Sequence, residues 1–354
     1  MKALFLAGGA GTRLWPLSRV ERPKQLHALV GDSSLITQTV ERVADVIATE
    51  DVWIITGESL KEQIKEHCPG VAANQLITEP FPLGTNLAVG LGLMHLSAVD
   101  PDATILLGWA DSYVGDRIEF VNAIRQAEQL SSDPDVNGVI LGVPPTYPAT
   151  GFGYIEAGER IVDNKNASWI ARFEEKPPLS TAEEFVRSGR HFWNPGFSIW
   201  KVSKLLGLMR VHVPQHFDAL QQISQYLGTL NEPEQILNNL KGLEPVSIDN
   251  AIFEKAAGLA VIPVAMDWND IGSWSAIHNV RAVDDAPVVT GEVISVDTRN
   301  CLIHSEGRLV ATLGISDLVI VETADAVLVV HKDQTDRLKE LYDEIKEAHG
   351  NRYV

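Results

Sequence analysis

MKALFLAGGAGTRLWPLSRVERPKQ, residues 1–25, runs from a short apolar segment into a cluster of glycines and then into a row of cations. Lys2 to Ala7 has the apolar character of a buried strand. Gly8, Gly9 and Gly11 allow positive φ and bring bare backbone N–H groups close to a polyanion, while Arg13, Arg19, Arg22 and Lys24 add charge-assisted donors. The segment therefore reads as a phosphate-binding loop set on the end of a strand. Neither of the two familiar nucleotide loops is present. Leu14 stands where a dinucleotide fold places its third glycine, and no Gly-Lys-Ser/Thr follows.

Outward from this loop, apolar runs at 2–7, 52–56, 103–108 and 137–143 predict strands. Amphipathic stretches at 33–48, 59–67, 84–99 and 116–130 predict helices between them. The order predicts an α/β fold with a Rossmann-like, mostly parallel sheet, whose ligands gather at the carboxyl ends of the strands. Glu79 and Asp111 both follow such strand ends. Segments 202–211, 214–228 and 232–240 read as a packed helical insert. His212 and His216 stand four apart, but Pro214 between them starts a helix, so no metal site is read there. From residue 283 the pattern changes to short β segments at 292–296, 301–304, 308–312, 318–321 and 326–330, then a charged helix from Gln334 to Ala348. Two domains are expected, 1–282 and a small C-terminal β domain with a terminal helix at 283–354.

The length agrees, since 354 residues exceed what a single core usually serves. A net charge of −18 argues against a nucleic-acid backbone or an anionic membrane surface as partner. Residues 1–25 nevertheless hold five basic side chains against one acid, a local cationic site suited to a small phosphorylated substrate. The sequence contains no apolar run of about 18 residues, the length needed to span a membrane. It enters a strand directly, without a cationic and apolar leader, so export is not expected. Cys68 and Cys301 match no metal or redox spacing, which suits reduced thiols in a cytoplasm.

From Gly8 the loop resembles, nearly residue for residue, the G-G-x-G-T-R-L-x-P-L-[ST] signature of sugar-1-phosphate nucleotidyltransferases, with Pro23-Lys24 beyond it. Further motifs narrow the resemblance. Thr150-Gly151-Phe152-Gly153-Tyr154-Ile155, Phe173-Glu174-Glu175-Lys176-Pro177 and Trp193-Asn194-Pro195-Gly196-Phe197 resemble segments of the mannose-1-phosphate guanylyltransferases. So do Ser247-Ile248-Asp249-Asn250-Ala251 through Glu254-Lys255, and Trp268-Asn269-Asp270-Ile271-Gly272-Ser273-Trp274. The likeness continues past residue 300 and covers essentially the whole chain. It implies that the C-terminal domain resembles a left-handed β-helix and supports a homodimer. It also implies that the sequence stops before the extension that adds phosphomannose isomerase activity in bifunctional relatives.

The resemblance implies transfer of GMP from GTP to α-D-mannose 1-phosphate, with Mg²⁺ as cofactor. On it, Asp111 and Asp270 are the metal ligands, Arg13 and Lys24 the catalytic cations, and Ala7, Gly8, Gly9, Gly11, Thr12, Glu79, Gly84 and Asn86 the nucleotide side. The residue chemistry supports a sugar side as well. Glu175 and Asn194 supply acceptors for vicinal hydroxyls, Gly153 permits close backbone approach, and Lys176 meets the sugar phosphate. Asp270 between two tryptophans calls for a partner such as a divalent cation. One segment departs from the family pattern E-P-x-x-[RK]-N-T-A. Here Glu79-Pro80-Phe81-Pro82-Leu83-Gly84-Thr85-Asn86-Leu87-Ala88 puts Thr85 at the basic position and Leu87 at the threonine. The choice of base is therefore left more open than the reaction class. A manno-heptose or glucose type sugar 1-phosphate, another nucleoside triphosphate, or a catalytically silent regulatory homologue that binds nucleotide sugar are the alternatives.

Overall fold

The computed structural model describes residues 1–9, 11–162 and 166–354. By packing these form two compact units that are not consecutive in sequence. The first comprises residues 1–8, 40–110 and 114–268, and the second residues 9–39, 111–113 and 269–354.

The first unit is built on a ten-stranded sheet. Its order is Leu76–Glu79, Val52–Gly57, Lys2–Leu6, Thr104–Trp109, Ser198–Lys201, Gly138–Gly142, Leu259–Pro263, Ser168–Glu175, Gly153–Arg160 and His191–Trp193. The first four strands are parallel, as the alternation of strand and helix predicts. Ser198–Lys201 runs antiparallel between Thr104–Trp109 and Gly138–Gly142. Beyond Leu259–Pro263 the pairings are antiparallel, yet seven of the ten strands point the same way. The helix Thr85–Val99 is apolar on every side as far as Met94 because it is buried there on every side, with Leu87, Val89, Leu91, Leu93 and Leu96 all in the core, and its last turn reaches solvent at Val99. It packs beside the expected helical insert, which appears as helices Val202–His212, Pro214–Ser224 and Glu232–Leu240.

The helix expected at 33–48 is shorter, ending at Arg42, after which the chain continues in single turns to Ile47. Pro214 opens its helix as expected, and His216 lies within the core, where burial lowers its imidazole pKa.

In the second unit, strands Val288–Thr290, Leu302–Ser305 and Leu318–Glu322 stack in parallel register, and Val327–His331 closes the ladder antiparallel. Val293–Val296 and Val310–Leu313 form a second parallel ladder. Two parallel ladders visited in turn by successive passes of the chain are the mark of a β-helix. Cys301, Ile303 and Ile320 fill the space inside with Val293, Val310 and Ile315. On the other side of the larger ladder a separate core collects Leu14, Trp15 and Leu17 of the opening loop, Trp274 and Ile277 of helix Trp274–Arg281, and Leu338 and Tyr342 of helix Leu338–His349. Among the described residues no helix is long and apolar enough to cross a membrane, and both cysteines are buried free thiols.

Candidate functional site

The opening loop takes its shape from short-range bonds. Gly11 has φ +58, and a Cβ there would lie 2.8 Å from Lys24 Cβ and 2.9 Å from Ser18 Oγ, so the position needs glycine for both conformation and space. From it springs the single turn Thr12–Leu14, with Leu14 N donating to Gly11 O at 2.9 Å. Gly9 (φ +95) and Arg13 stay exposed. Gly8 is exposed too, whereas Ala7 is buried and donates its N–H to Ile55 O at 2.8 Å.

Lys24 is the centre of the cluster carried by the second unit. Its side chain is buried, its Nζ lies 3.0 Å from Asp111 Oδ2, and it donates to the Asp270 carbonyl oxygen at 2.8 Å. The cation and both acidic residues, read from positions far apart in sequence, are thus brought together. The carboxylate of Asp111 does not cap the helix that follows, a task taken by Asp116 through Glu119 N at 3.0 Å. Asp270 sits in a strained turn. Ile271 beside it is buried with φ +48, a costly conformation for a β-branched residue. A Cβ on Gly272 would collide with Asp270 Oδ2 and come within 2.9 Å of Arg13 Nη2. Gly272, which sequence reading passes over although it stands in a quoted motif, thereby leaves room for the Asp270 carboxylate and the Arg13 guanidinium.

Arg19 requires a correction. Read from sequence as a donor to the anion, it instead donates to Pro16 O at 2.6 Å, to the Tyr353 carbonyl oxygen and to Asp325 Oδ1 at 2.8 Å. Trp15 Nε1 donates to the same Tyr353 oxygen at 2.6 Å. Arg19 therefore fixes the loop to the end of the chain through all three of its guanidinium nitrogens.

Among the described residues no group of three or more His, Cys, Asp or Glu forms a metal cage. Asp111 and Asp270 are nonetheless hard oxygen donors, and one or two carboxylates with the remaining positions left to substrate phosphates and water is the set that suits Mg²⁺.

The first unit carries the sugar-side candidates. Gly153 pairs with Glu175 across adjacent strands, and a Cβ on Gly153 would lie 2.6 Å from Glu175 Oε2. Asn194 N donates to Gly153 O at 2.8 Å. Lys176, with φ +48, turns back so that its Nζ lies 2.8 Å from Glu175 Oε1. The four sugar-side candidates are therefore neighbours on three antiparallel strands and the loops that end them. Phe152 stands against them with its ring 5.3 Å from Trp193 and 5.2 Å from Trp268, edge to face.

The 79–89 segment behaves differently. Glu79 accepts from Leu83 N at 3.1 Å, and burial pushes its carboxyl above the ordinary value. Gly84 has φ +78 and lies against Pro245. Asn86 is wholly buried, and its Nδ2 donates to His216 Nδ1 at 2.9 Å. The departing residue Thr85 has a local task, its Oγ1 accepting from Ile248 N at 3.0 Å.

Residues 2–286 match the model of the nucleotidyl transferase family, and residues 291–345 match that of the mannose-phosphate isomerase/GMP-like β-helix domain. Among similar curated proteins, the alginate biosynthesis protein AlgA of Pseudomonas aeruginosa is 34% identical over 98% of this chain and 72% of its own length. The mannose-1-phosphate guanylyltransferase RfbM of Salmonella typhimurium is 31% identical over 99% of this chain and 73% of its own. A solved structure from Thermus thermophilus, described as a mannose-1-phosphate geranyltransferase, superposes with a TM-score of 0.87 at 32% identity, covering 98% of this chain and 99% of that one. With the family model spanning most of its length and relatives this similar along nearly all of it, the chain belongs to the nucleotidyl transferase family, in the group of the mannose-1-phosphate guanylyltransferases with a β-helix domain.

Proposed function

We propose that this protein transfers GMP from GTP to α-D-mannose 1-phosphate, giving GDP-mannose and pyrophosphate. The observation that carries the reading is the buried ammonium of Lys24 set between the Asp111 carboxylate and the Asp270 carbonyl, on a glycine loop flanked by Arg13. Such a cluster suits a polyphosphate. In the reaction an oxygen of the sugar 1-phosphate attacks the α-phosphorus of GTP in line, the new P–O bond forms, and the bond to pyrophosphate breaks. No covalent nucleophile is needed, so the work of the protein is positioning and neutralisation of charge.

Gly8, Gly9, Gly11 and Thr12 present backbone to the triphosphate, while Ala7, its N–H and carbonyl committed to Ile55 and Thr56, anchors the start of the loop. Arg13 and Lys24 stabilise charge on the triphosphate and on the leaving pyrophosphate. Glu79 and Gly84 shape the nucleotide segment, which Asn86 pins from within the core. Gly153, Glu175, Lys176 and Asn194 receive the sugar 1-phosphate. Asp111 and Asp270 would hold Mg²⁺, which when bound neutralises and polarises phosphate oxygens. Incubation with GTP and mannose 1-phosphate tests the reading through the appearance of GDP-mannose and pyrophosphate in equal amounts.

A further inference from the structure

We propose that Asp249 is a positioning residue for the sugar 1-phosphate, holding the Asn194 carboxamide in place and making that substrate's binding depend on the charge it carries. The inference rests on the functional reading above. Asn194 Oδ1 accepts from Gly196 N at 3.0 Å, which fixes which end of the amide is oxygen, and Nδ2 then donates to Asp249 Oδ1 at 3.0 Å. One hydrogen on Nδ2 and one lone pair on Oδ1 remain to meet a hydroxyl pair.

Asp249 is itself held from elsewhere. It opens the five-residue π-helix Asp249–Phe253, a form frequent at functional sites. The residues before it are tied down by Ile248 N donating to Thr85 Oγ1 at 3.0 Å, and those after it by Asn250 N donating to Ser247 Oγ at 3.1 Å. At the far end of this turn Glu254 Oε1 accepts from Glu175 N at 3.2 Å. The segment therefore grips the sugar-binding strands at two points, Asn194 and Glu175.

The charges facing Asp249 are Glu175, Lys176 and Glu254. Burial and the Glu175 carboxylate push the Asp249 carboxyl up to about 7, against Lys176, which lowers it. Protonated, Asp249 still accepts from Asn194 through its carbonyl oxygen. Ionised, it adds a third negative charge where the dianionic phosphate of the substrate must approach a single lysine. Binding of the sugar 1-phosphate is thus favoured by the protonated form.

Calorimetric titration with mannose 1-phosphate and steady-state kinetics from pH 6 to 9 test this in the wild type, Asp249→Asn, Asp249→Ala, Asn194→Ala and the Asp249→Ala/Asn194→Ala double variant. Circular dichroism confirms the fold, and the isosteric asparagine keeps the test open where alanine unfolds. Asp249→Ala is expected to raise the KM for mannose 1-phosphate at least about tenfold with the KM for GTP unchanged, as loss of a ground-state contact does. The double variant is expected to bind no more weakly than Asn194→Ala alone, because one residue acts through the other. Asp249→Asn is expected to lose the wild-type rise in KM above neutrality. Unchanged sugar affinity in a folded Asp249→Ala, or an Asp249→Asn pH profile that tracks the wild type, overturns the role of Asp249 alone. A wild type that binds no mannose 1-phosphate overturns the functional reading together with it.

Discussion

Lys24 Nζ stands 3.0 Å from Asp111 Oδ2 and 2.8 Å from the carbonyl oxygen of Asp270, so a single buried ammonium joins two acidic residues that lie far apart in the chain. Removing either carboxylate charge should weaken metal placement and charge neutralisation at the α-phosphate together. Asp111→Asn and Asp270→Asn are each expected to cut turnover at least about a hundredfold while the fold is kept. A Mg²⁺ titration of initial rates provides the check. Half-saturation should move to higher metal concentration in both variants, and wild-type rates at limiting Mg²⁺ in a folded variant would remove that residue from the metal site.

The two groups of candidate residues should separate kinetically. Lys176→Ala and Glu175→Ala are expected to impair chiefly the use of mannose 1-phosphate, and Arg13→Ala and Lys24→Ala chiefly the triphosphate. Contacts made equally in ground and transition states appear in KM, and those made only in the transition state appear in kcat. Initial rates with each substrate varied in turn measure the split. A Lys176→Ala protein altered only in its KM for GTP would contradict it.

Gly272 and Gly207 form a matched pair. A methyl on Gly272 meets the Asp270 carboxylate and the Arg13 guanidinium, whereas one on Gly207, inside helix Val202–His212, meets nothing within 4 Å. Gly272→Ala is expected to cost about 1–3 kcal/mol of stability by overpacking and to lower kcat at least about tenfold. Gly207→Ala should instead gain about 0.5–1 kcal/mol through helix propensity and leave activity alone. Thermal midpoints and kcat for both variants settle the contrast.

The stability of the fold should carry the signature of Asp249. Its carboxyl stands at about 7 in the folded protein against an unfolded value near 4, so through that interval the folded chain holds a proton that the unfolded chain releases. This contribution is complete below about pH 4 and is lost as pH rises through about 7, on the order of 1.4 kcal/mol per pH unit. Asp249→Asn cannot ionise and escapes the loss. Urea unfolding at pH 4.5 and pH 8 is expected to show Asp249→Asn gaining on the wild type at the higher pH, and a pH-independent difference would contradict the assignment.

The opening loop, the parallel strands of the first half and the short β segments after residue 283 were legible because apolar runs and glycine spacing are local signals, whereas the β-helical arrangement of those segments came only from the family resemblance. The antiparallel strands Gly153–Arg160 and Ser168–Glu175 were less so, since their outer residues are exposed and the alternation breaks at register shifts near Glu156 and Ala157. Arg19 was misread for a different reason. Its partners Asp325 and Tyr353 lie more than three hundred positions away, and nothing in the loop announces them. Asn86, read from sequence as part of the nucleotide side, lies in the core, where its Nδ2 donates to His216. Asp249 stood in a quoted motif, but its link to Asn194 exists only once strand and π-helix are folded together.

Pyrophosphate release, measured with GTP, ATP and UTP each against mannose 1-phosphate and glucose 1-phosphate, tests the central claim most directly. On the proposed placing of the nucleotide at the Glu79 segment, guanine would bring N1–H and N2–H₂ donors to acceptors that a base lacking them would leave unpaired, at about 1–3 kcal/mol each. The account predicts GDP-mannose as the product, with kcat/KM for GTP at least about tenfold above ATP and UTP. Equal kcat/KM for GTP and ATP with mannose 1-phosphate would contradict the guanylyltransferase reading, and no pyrophosphate from any pair would contradict nucleotidyl transfer itself.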